Sequence, residues 1–153
     1  MSIVWSDELN TGLTEIDRQH RRIIDFINKL ETAKLQQDRK LVSEVVTACV
    51  DYAATHFSYE EQLQKDAGYE YLSAHKKVHE LFTQRVSEYQ RRLEAGDDIV
   101  DELCDMLNHW LVSHIRLDDA DFVGAVKLHQ ATMRKRIRKR SKTGKGILRN
   151  LFG

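Results

Sequence analysis

Proline is absent from this chain of 153 residues, and glycine occurs only seven times. Both residues interrupt helices, so their scarcity leaves long helices little opposed and makes strands and tight turns hard to place. Only two cysteines are present, too few for the disulfide frameworks that hold small secreted domains together. Cys49 and Cys104 fall inside apolar helical patterns and read as small buried hydrophobes in a reducing compartment. Long apolar runs are missing too. No stretch approaches the roughly 20 residues that span a bilayer, and residues 1–10 lack the basic-then-apolar pattern of a secretion signal. Together these absences point to a cytoplasmic protein. Acidic residues are missing from one region, 127–153, which holds 10 of the 24 Lys and Arg. The first 126 residues keep 14 basic against all 24 acidic side chains, a formal charge of −10. That boundary divides the chain into one folded domain, 1–126, and a basic C-terminal tail, 127–153.

What the chain does contain is helical periodicity. With 41% hydrophobic residues it can bury one real core. After an irregular N-terminal segment, Ile16, Ile23, Ile24, Ile27 and Leu30 recur at helical spacing, ending near Gln37. A second run passes through Val42, Val45, Val46, Cys49, Ala53 and Leu63 to a stop at Gly68. A third uses Leu72, Val78, Phe82, Val86, Tyr89 and Leu93 and stops at Gly96, where Asp97 and Asp98 read as starters for the next helix. The fourth reads Ile99, Leu103, Met106, Leu107, Trp110, Leu111 and Leu117. Short connections favour antiparallel neighbours, so the expected fold is an all-α, up-down-up-down antiparallel four-helix bundle with a basic C-terminal extension.

Each apolar stripe also carries histidine. His20 lies on the first, His56 with Glu60 on the second, His75 with His79 on the third and His114 on the fourth. Residues four apart on an α-helix are separated by about 40° and about 6 Å, so each pair shares a face. One inward histidine is ordinarily a hydrogen-bonded core residue, but five on four converging stripes ask for a shared ligand. Glu60 strengthens the case, because a carboxylate among apolar side chains must be protonated, paired or bound to metal, and no Lys or Arg shares its stripe. A donor set rich in imidazole, with carboxylates and no thiolate, suits iron or zinc better than manganese, magnesium or calcium. It points to a dinuclear centre, with iron the first choice. His109 lies off its stripe and His129 sits in the tail, so neither is expected to be a ligand.

Over roughly residues 3–122 the chain resembles the hemerythrins, most closely their single-domain bacterial type. The resemblance rests on Trp5 and Gly12, on Ile16-Asp17-Arg18-Gln19-His20, on His56-Phe57-Ser58-Tyr59-Glu60-Glu61, on His75-Lys76-Lys77-Val78-His79, and on Trp110-Leu111-Val112-Ser113-His114-Ile115 followed by Asp119. It implies that His75, His79 and His114 hold one iron, that His20 and His56 hold the other, and that Glu60 and Asp119 bridge them. It also implies two Fe²⁺ ions in the deoxy form with a bridging hydroxide or oxo group, and reversible O₂ binding by a monomer rather than catalysis. Regular α-helix geometry would favour Asp118, four residues after His114, whereas the family pattern places its carboxylate at the fifth and so requires a local distortion. Ile24, Trp110, Ile115 and Leu117 are the candidate lining of the O₂ pocket. Phe122 stands where the family commonly has Tyr.

An enzymatic reading, as a di-iron oxidase or peroxidase, a nitric-oxide-handling or an iron-repair enzyme, uses the same residues. A third reading is an O₂ or redox sensor acting through the tail. The tail's charge density favours a solvated, partly disordered segment that could contact an acidic partner, nucleic acid or anionic lipid, helped by the apolar residues Ile147, Leu148, Leu151 and Phe152.

Overall fold

The structure, a computed structural model, describes the backbone of residues 3–151 and the side chains of residues 3–143. The apolar tail residues Ile147, Leu148, Leu151 and Phe152 therefore lie outside the described side chains. A 3-10 turn (Asp7–Leu9) is followed by α1 (Thr14–Leu35), α2 (Arg39–Asp66), α3 (Leu72–Glu94) and α4 (Val100–Ser113). A π-helical turn (His114–Asp119) then leads directly into α5 (Ala120–Leu151). Helix thus runs without a break from Val100 to Leu151, and the π turn joins α4 and α5 into the fourth rod of the bundle. Among the described residues there is no strand and no helix long and apolar enough to cross a membrane.

The helix ends follow local chemistry. α2 and α3 end at Gly68 (φ 64°) and Gly96 (φ 99°), where the missing Cβ permits the left-handed backbone that lets later amides reach back to free carbonyls. Tyr69 N–H donates to the Gln64 carbonyl at 2.9 Å and Asp97 N–H to that of Arg92 at 3.0 Å. α1 closes in the same way at Gln37 (φ 54°), with Asp38 N–H donating to the Ala33 carbonyl at 3.2 Å. Asp38 then caps α2 by accepting from the Leu41 amide at 2.9 Å. The cap of α4 differs from expectation: buried Ile99 occupies it with no side-chain hydrogen bond, and Asp101 and Glu102 rather than Asp97 and Asp98 fill the first turn, where they complement the helix dipole.

α1 packs on α2 and α4, and α2 packs on α3 and α5. The core between them is aliphatic, with Ile16, Ile27, Leu30, Leu103 and Leu111 almost wholly excluded from solvent. Each such side chain contributes about 1.5–3 kcal/mol by burial. Asp17, itself buried, ties the N-terminal segment to α1 by accepting from the Thr11 amide at 2.8 Å, the Thr11 hydroxyl at 2.7 Å and the Gly12 amide at 3.2 Å.

The tail departs from the expected partly disordered segment, since α5 carries helix straight through residue 127. A helix already formed upstream removes the nucleation cost, and each further residue need only propagate it. Residues 127–143 contain no Pro or Gly to stop it. Cys49 and Cys104 are both buried and free.

Candidate metal centre

Seven buried polar side chains meet within the bundle. His20 comes from α1, His56 and Glu60 from α2, His75 and His79 from α3, and His114 and Asp119 from the two ends of the π turn. All are buried, with His20, Glu60 and Asp119 at 0% exposure. Their donor atoms fall into two groups, Glu60 with His75, His79 and His114, and Glu60 with His20, His56 and Asp119. Within each group the atoms lie within 4.8 Å of one another.

The carboxylates divide their oxygens between the groups. Glu60 Oε1 lies 2.9 Å from His56 Nε2 and 3.5 Å from His20 Nε2. Its Oε2 lies 3.3, 3.5 and 3.7 Å from Nε2 of His79, His75 and His114. Asp119 repeats the division: Oδ2 is 3.1 Å from His20 Nε2, while Oδ1 is 3.1 Å from His114 Nε2 and 3.5 Å from His75 Nε2.

Most of these atoms lack ordinary partners. Nε2 of His20, His56 and His75 and all four carboxylate oxygens are buried without a hydrogen bond. Buried polar atoms are almost always satisfied, so seven orphans turned toward one place require a common partner. Two cations would supply it: the donors are aimed inward and are of the right type, and each carboxylate divides its oxygens between the two groups. The residues present therefore fit a dinuclear metal group.

The outward nitrogens of three imidazoles are held instead. Nδ1 of His56 pairs with Gln19 Oε1 at 2.8 Å, that of His79 with Glu61 Oε1 at 2.9 Å, and that of His114 with Asp118 Oδ2 at 3.0 Å. Such partners fix the tautomer that leaves Nε2 free to bind. Aromatic rings wall the imidazoles. Phe57 stacks on His79 at 3.9 Å, Trp110 stacks on His114 at 4.3 Å, and Phe122 meets His75 edge-on at 5.2 Å. Phe122 is wholly buried and contributes packing where a Tyr would also bring a hydroxyl.

The charges interact strongly. Burial would favour neutral Glu60, but His56, His114 and His20 hold its carboxyl well below the ordinary range. Burial also works against protonated His114, yet Asp119, Asp118 and Glu60 outweigh it and push its pKa up to about 10. His20 is raised for the same reason, burial being overcome by Asp119 and Glu60, while in His56 burial prevails and the pKa falls. Without metal, carboxylate charge keeps protons on part of the cluster, and bound cations would take their place.

The structure brings all seven expected donor residues together and resolves the fourth-helix spacing. In a π turn each residue advances about 80° rather than about 100°, so the fifth residue after His114 returns to its face. Asp119 therefore points inward with His114, and Asp118 turns to the ring's outer nitrogen. The same geometry corrects one expectation for the pocket lining. Leu117 is 68% exposed, because three residues along a π turn lead about 240° away, toward solvent. Ile24 and Ile115 are buried, and Trp110 is partly buried. His109 is exposed, with Nδ1 2.8 Å from the Asp105 carbonyl, and His129 is partly exposed outside the cluster. Gln19, Glu61 and Asp118 have supporting roles that the apolar stripes do not mark. Each neighbours a donor in sequence or lies four residues from one, and that proximity was the available signal.

Residues 11–126 match the family described as Hemerythrin HHE cation binding domain. The chain is 50% identical over 125 residues to a bacteriohemerythrin of Pseudomonas aeruginosa (strain LESB58), covering 82% of each. It is likewise 50% identical over 127 residues to a bacteriohemerythrin of Stenotrophomonas maltophilia (strain R551-3), covering 83% of each. A crystal structure of wild-type hemerythrin superposes with a TM-score of 0.77 at 26% identity, covering 82% of this chain and 98% of that one.

Proposed function

Because the chain belongs to the hemerythrin family, we propose that it binds O₂ reversibly at a non-haem di-iron centre, as a carrier, store or buffer without turnover. The observation that carries this reading is the division of Glu60 and Asp119, each with one oxygen toward His20 and the other toward the three remaining-group histidines or part of them. In this reading His75, His79 and His114 hold one iron, His20 and His56 hold the other, and the two carboxylates span both. Two ferrous ions with a bridging hydroxide would supply the electrons for reversible O₂ binding. The group with two imidazoles has one fewer nitrogen donor, which leaves room for O₂ on its side.

The remaining residues protect that chemistry. Ile24, Ile115 and Trp110 offer O₂ apolar walls, and the ring of Phe57, in the same apolar cluster, extends them. Excluding water and proton donors disfavours loss of reduced oxygen and hence net oxidation. Gln19, Glu61 and Asp118 keep imidazoles oriented through their Nδ1 atoms. The two free, buried cysteines accord with work in a reducing cytoplasm.

The test is the visible spectrum of protein loaded with Fe²⁺ under anaerobic conditions, recorded before O₂, after O₂ and after the gas is removed. An absorption band that appears and then disappears over repeated cycles is expected. Irreversible bleaching with release of hydrogen peroxide would replace the carrier reading with an oxidase.

A further inference from the structure

Every residue from 131 to 143 on α5 is exposed, so this stretch of helix has no face packed on the bundle. Seven of the nine residues at 134–142 are Lys or Arg, and residues 127–143 contain no acid. A length of helix that carries such charge without burying anything gains nothing for the fold. Its chemistry is directed at something outside the chain.

The placement of the charge narrows the partner. At about 100° per residue, Arg134, Arg138 and Lys142 form a row along one flank of Ile137, and Arg136, Arg140 and Lys139 lie along the other. Between them runs a strip about 80° wide containing Met133, Ile137 and Ser141. Cations on two opposite flanks call for anions on both sides of the helix. Duplex DNA offers this arrangement, because the major groove of the B form, about 12 Å wide, admits a helix about 10–12 Å across and is bordered by phosphates on each side. A membrane-surface helix instead needs a broad apolar face, ordinarily with several large side chains. Among the described side chains the strip holds only Met133 and Ile137 as large apolar groups, and they are 41% and 63% exposed. The acidic body of a second copy would meet one flank and leave the other unmatched.

We propose that residues 127–143 of α5 are a DNA-binding arm that lies in the major groove of a duplex and engages its phosphates from both flanks. Gln130 is the one Asn or Gln in residues 127–143, and the Arg and Lys rows are turned to the phosphates on either flank, so the arm recognises backbone charge more than base sequence. The formal charge of −10 on residues 1–126 repels the polyanion, which leaves the arm as the point of contact and the bundle outside the groove. The proposal does not depend on the identity of the metal or on O₂ binding.

The test uses the full chain and a variant carrying Arg134→Gln, Arg136→Gln, Arg138→Gln and Arg140→Gln, since Gln keeps helix propensity near that of Arg. Fluorescence polarisation with labelled DNA duplexes of about 30 base pairs should show saturable binding that weakens about 100-fold or more between about 50 and about 200 mM salt, as neutralising four or more phosphates demands. Two duplexes of unrelated sequence should bind within about threefold of each other. The variant should lose at least about 30-fold in affinity at the lower salt while its helical circular dichroism is unchanged. Equal binding by the variant, or no saturable binding by the parent chain at about 50 mM salt, overturns the proposal. So does tighter capture by phosphatidylcholine vesicles containing phosphatidylglycerol than by duplex at equal phosphate concentration, which would assign the arm to membranes. A salt-sensitive dimer of the parent chain alone, with no duplex binding, would overturn it in favour of self-association.

Discussion

Asp118 and Asp119 are neighbours in sequence with opposite duties in space. Asp119 is wholly buried between His20 and His114, whereas Asp118 holds the outer nitrogen of His114. Asp119→Ala should therefore reduce iron from about two per chain to one or fewer, while Asp118→Ala should keep iron but bind it about 10–100-fold more weakly. Metal analysis after competition with a chelator separates them, and equal losses from both would contradict the division of roles. The cysteines carry a second expectation at this scale. Burial pushes the Cys49 thiol up to about 12 and that of Cys104 up to about 11, so both should resist a thiol reagent at pH 8 in native protein and react once it is unfolded. A thiol pKa raised by folding leaves stability untouched below its unfolded value and lowers it as pH climbs toward the folded value. Alkaline destabilisation should thus begin near pH 9, the ordinary cysteine value. The inward donors were legible in the sequence because their spacing coincides with apolar stripes. Gln19 and Glu61 were not, because a side chain supporting a ligand from beside the stripe looks like any surface residue.

Among the elements, the π turn carries the most consequence for the site. It acts as one extra residue in an otherwise α-helical rod, so deleting Leu117, which is exposed, should restore regular helix without rotating the flanking segments relative to each other. Circular dichroism should stay helical while iron binds about 10–100-fold more weakly, because Asp119 then follows His114 by four residues and keeps its face, whereas Asp118, at three, loses the outer nitrogen of the ring. Iron held as tightly as in the parent chain would show that the π turn is dispensable. The end of α1 offers a separate test, since Gln37 adopts a left-handed backbone (φ 54°) where α2 and α3 use Gly. Gln37→Gly should raise unfolding stability by about 0.5–1 kcal/mol, measurable in urea. Helix ends marked by Gly68 and Gly96 were readable from sequence, as local chemistry sets them. The π turn appeared there only as a conflict between regular geometry and the position of Asp119, because tertiary demand for that carboxylate decides the local conformation. The helical course of the tail was unreadable for the opposite reason: its composition argues against independent structure, but it grows from a helix already formed.

For the molecule as a whole, donors on all four rods make metal binding and folding one process. Removing iron should lower the thermal midpoint by several degrees or more, since a ligand bound only by the native state stabilises it by an amount that grows with the logarithm of its free concentration over its dissociation constant. Scanning calorimetry of loaded and stripped protein tests this, and identical midpoints would mean the donors are organised without regard to metal. Four helices were legible from the chain at this scale, as their stripes are long and their connections short. The complete burial of Glu60 and Asp119 has a kinetic meaning as well. A chelator cannot reach ions enclosed by such residues until helices part, so at high chelator concentration the rate of iron loss should level off at the opening rate of the bundle. The colour of the loaded protein then becomes a clock for its breathing, and the metal leaves only as fast as the helices let go of one another.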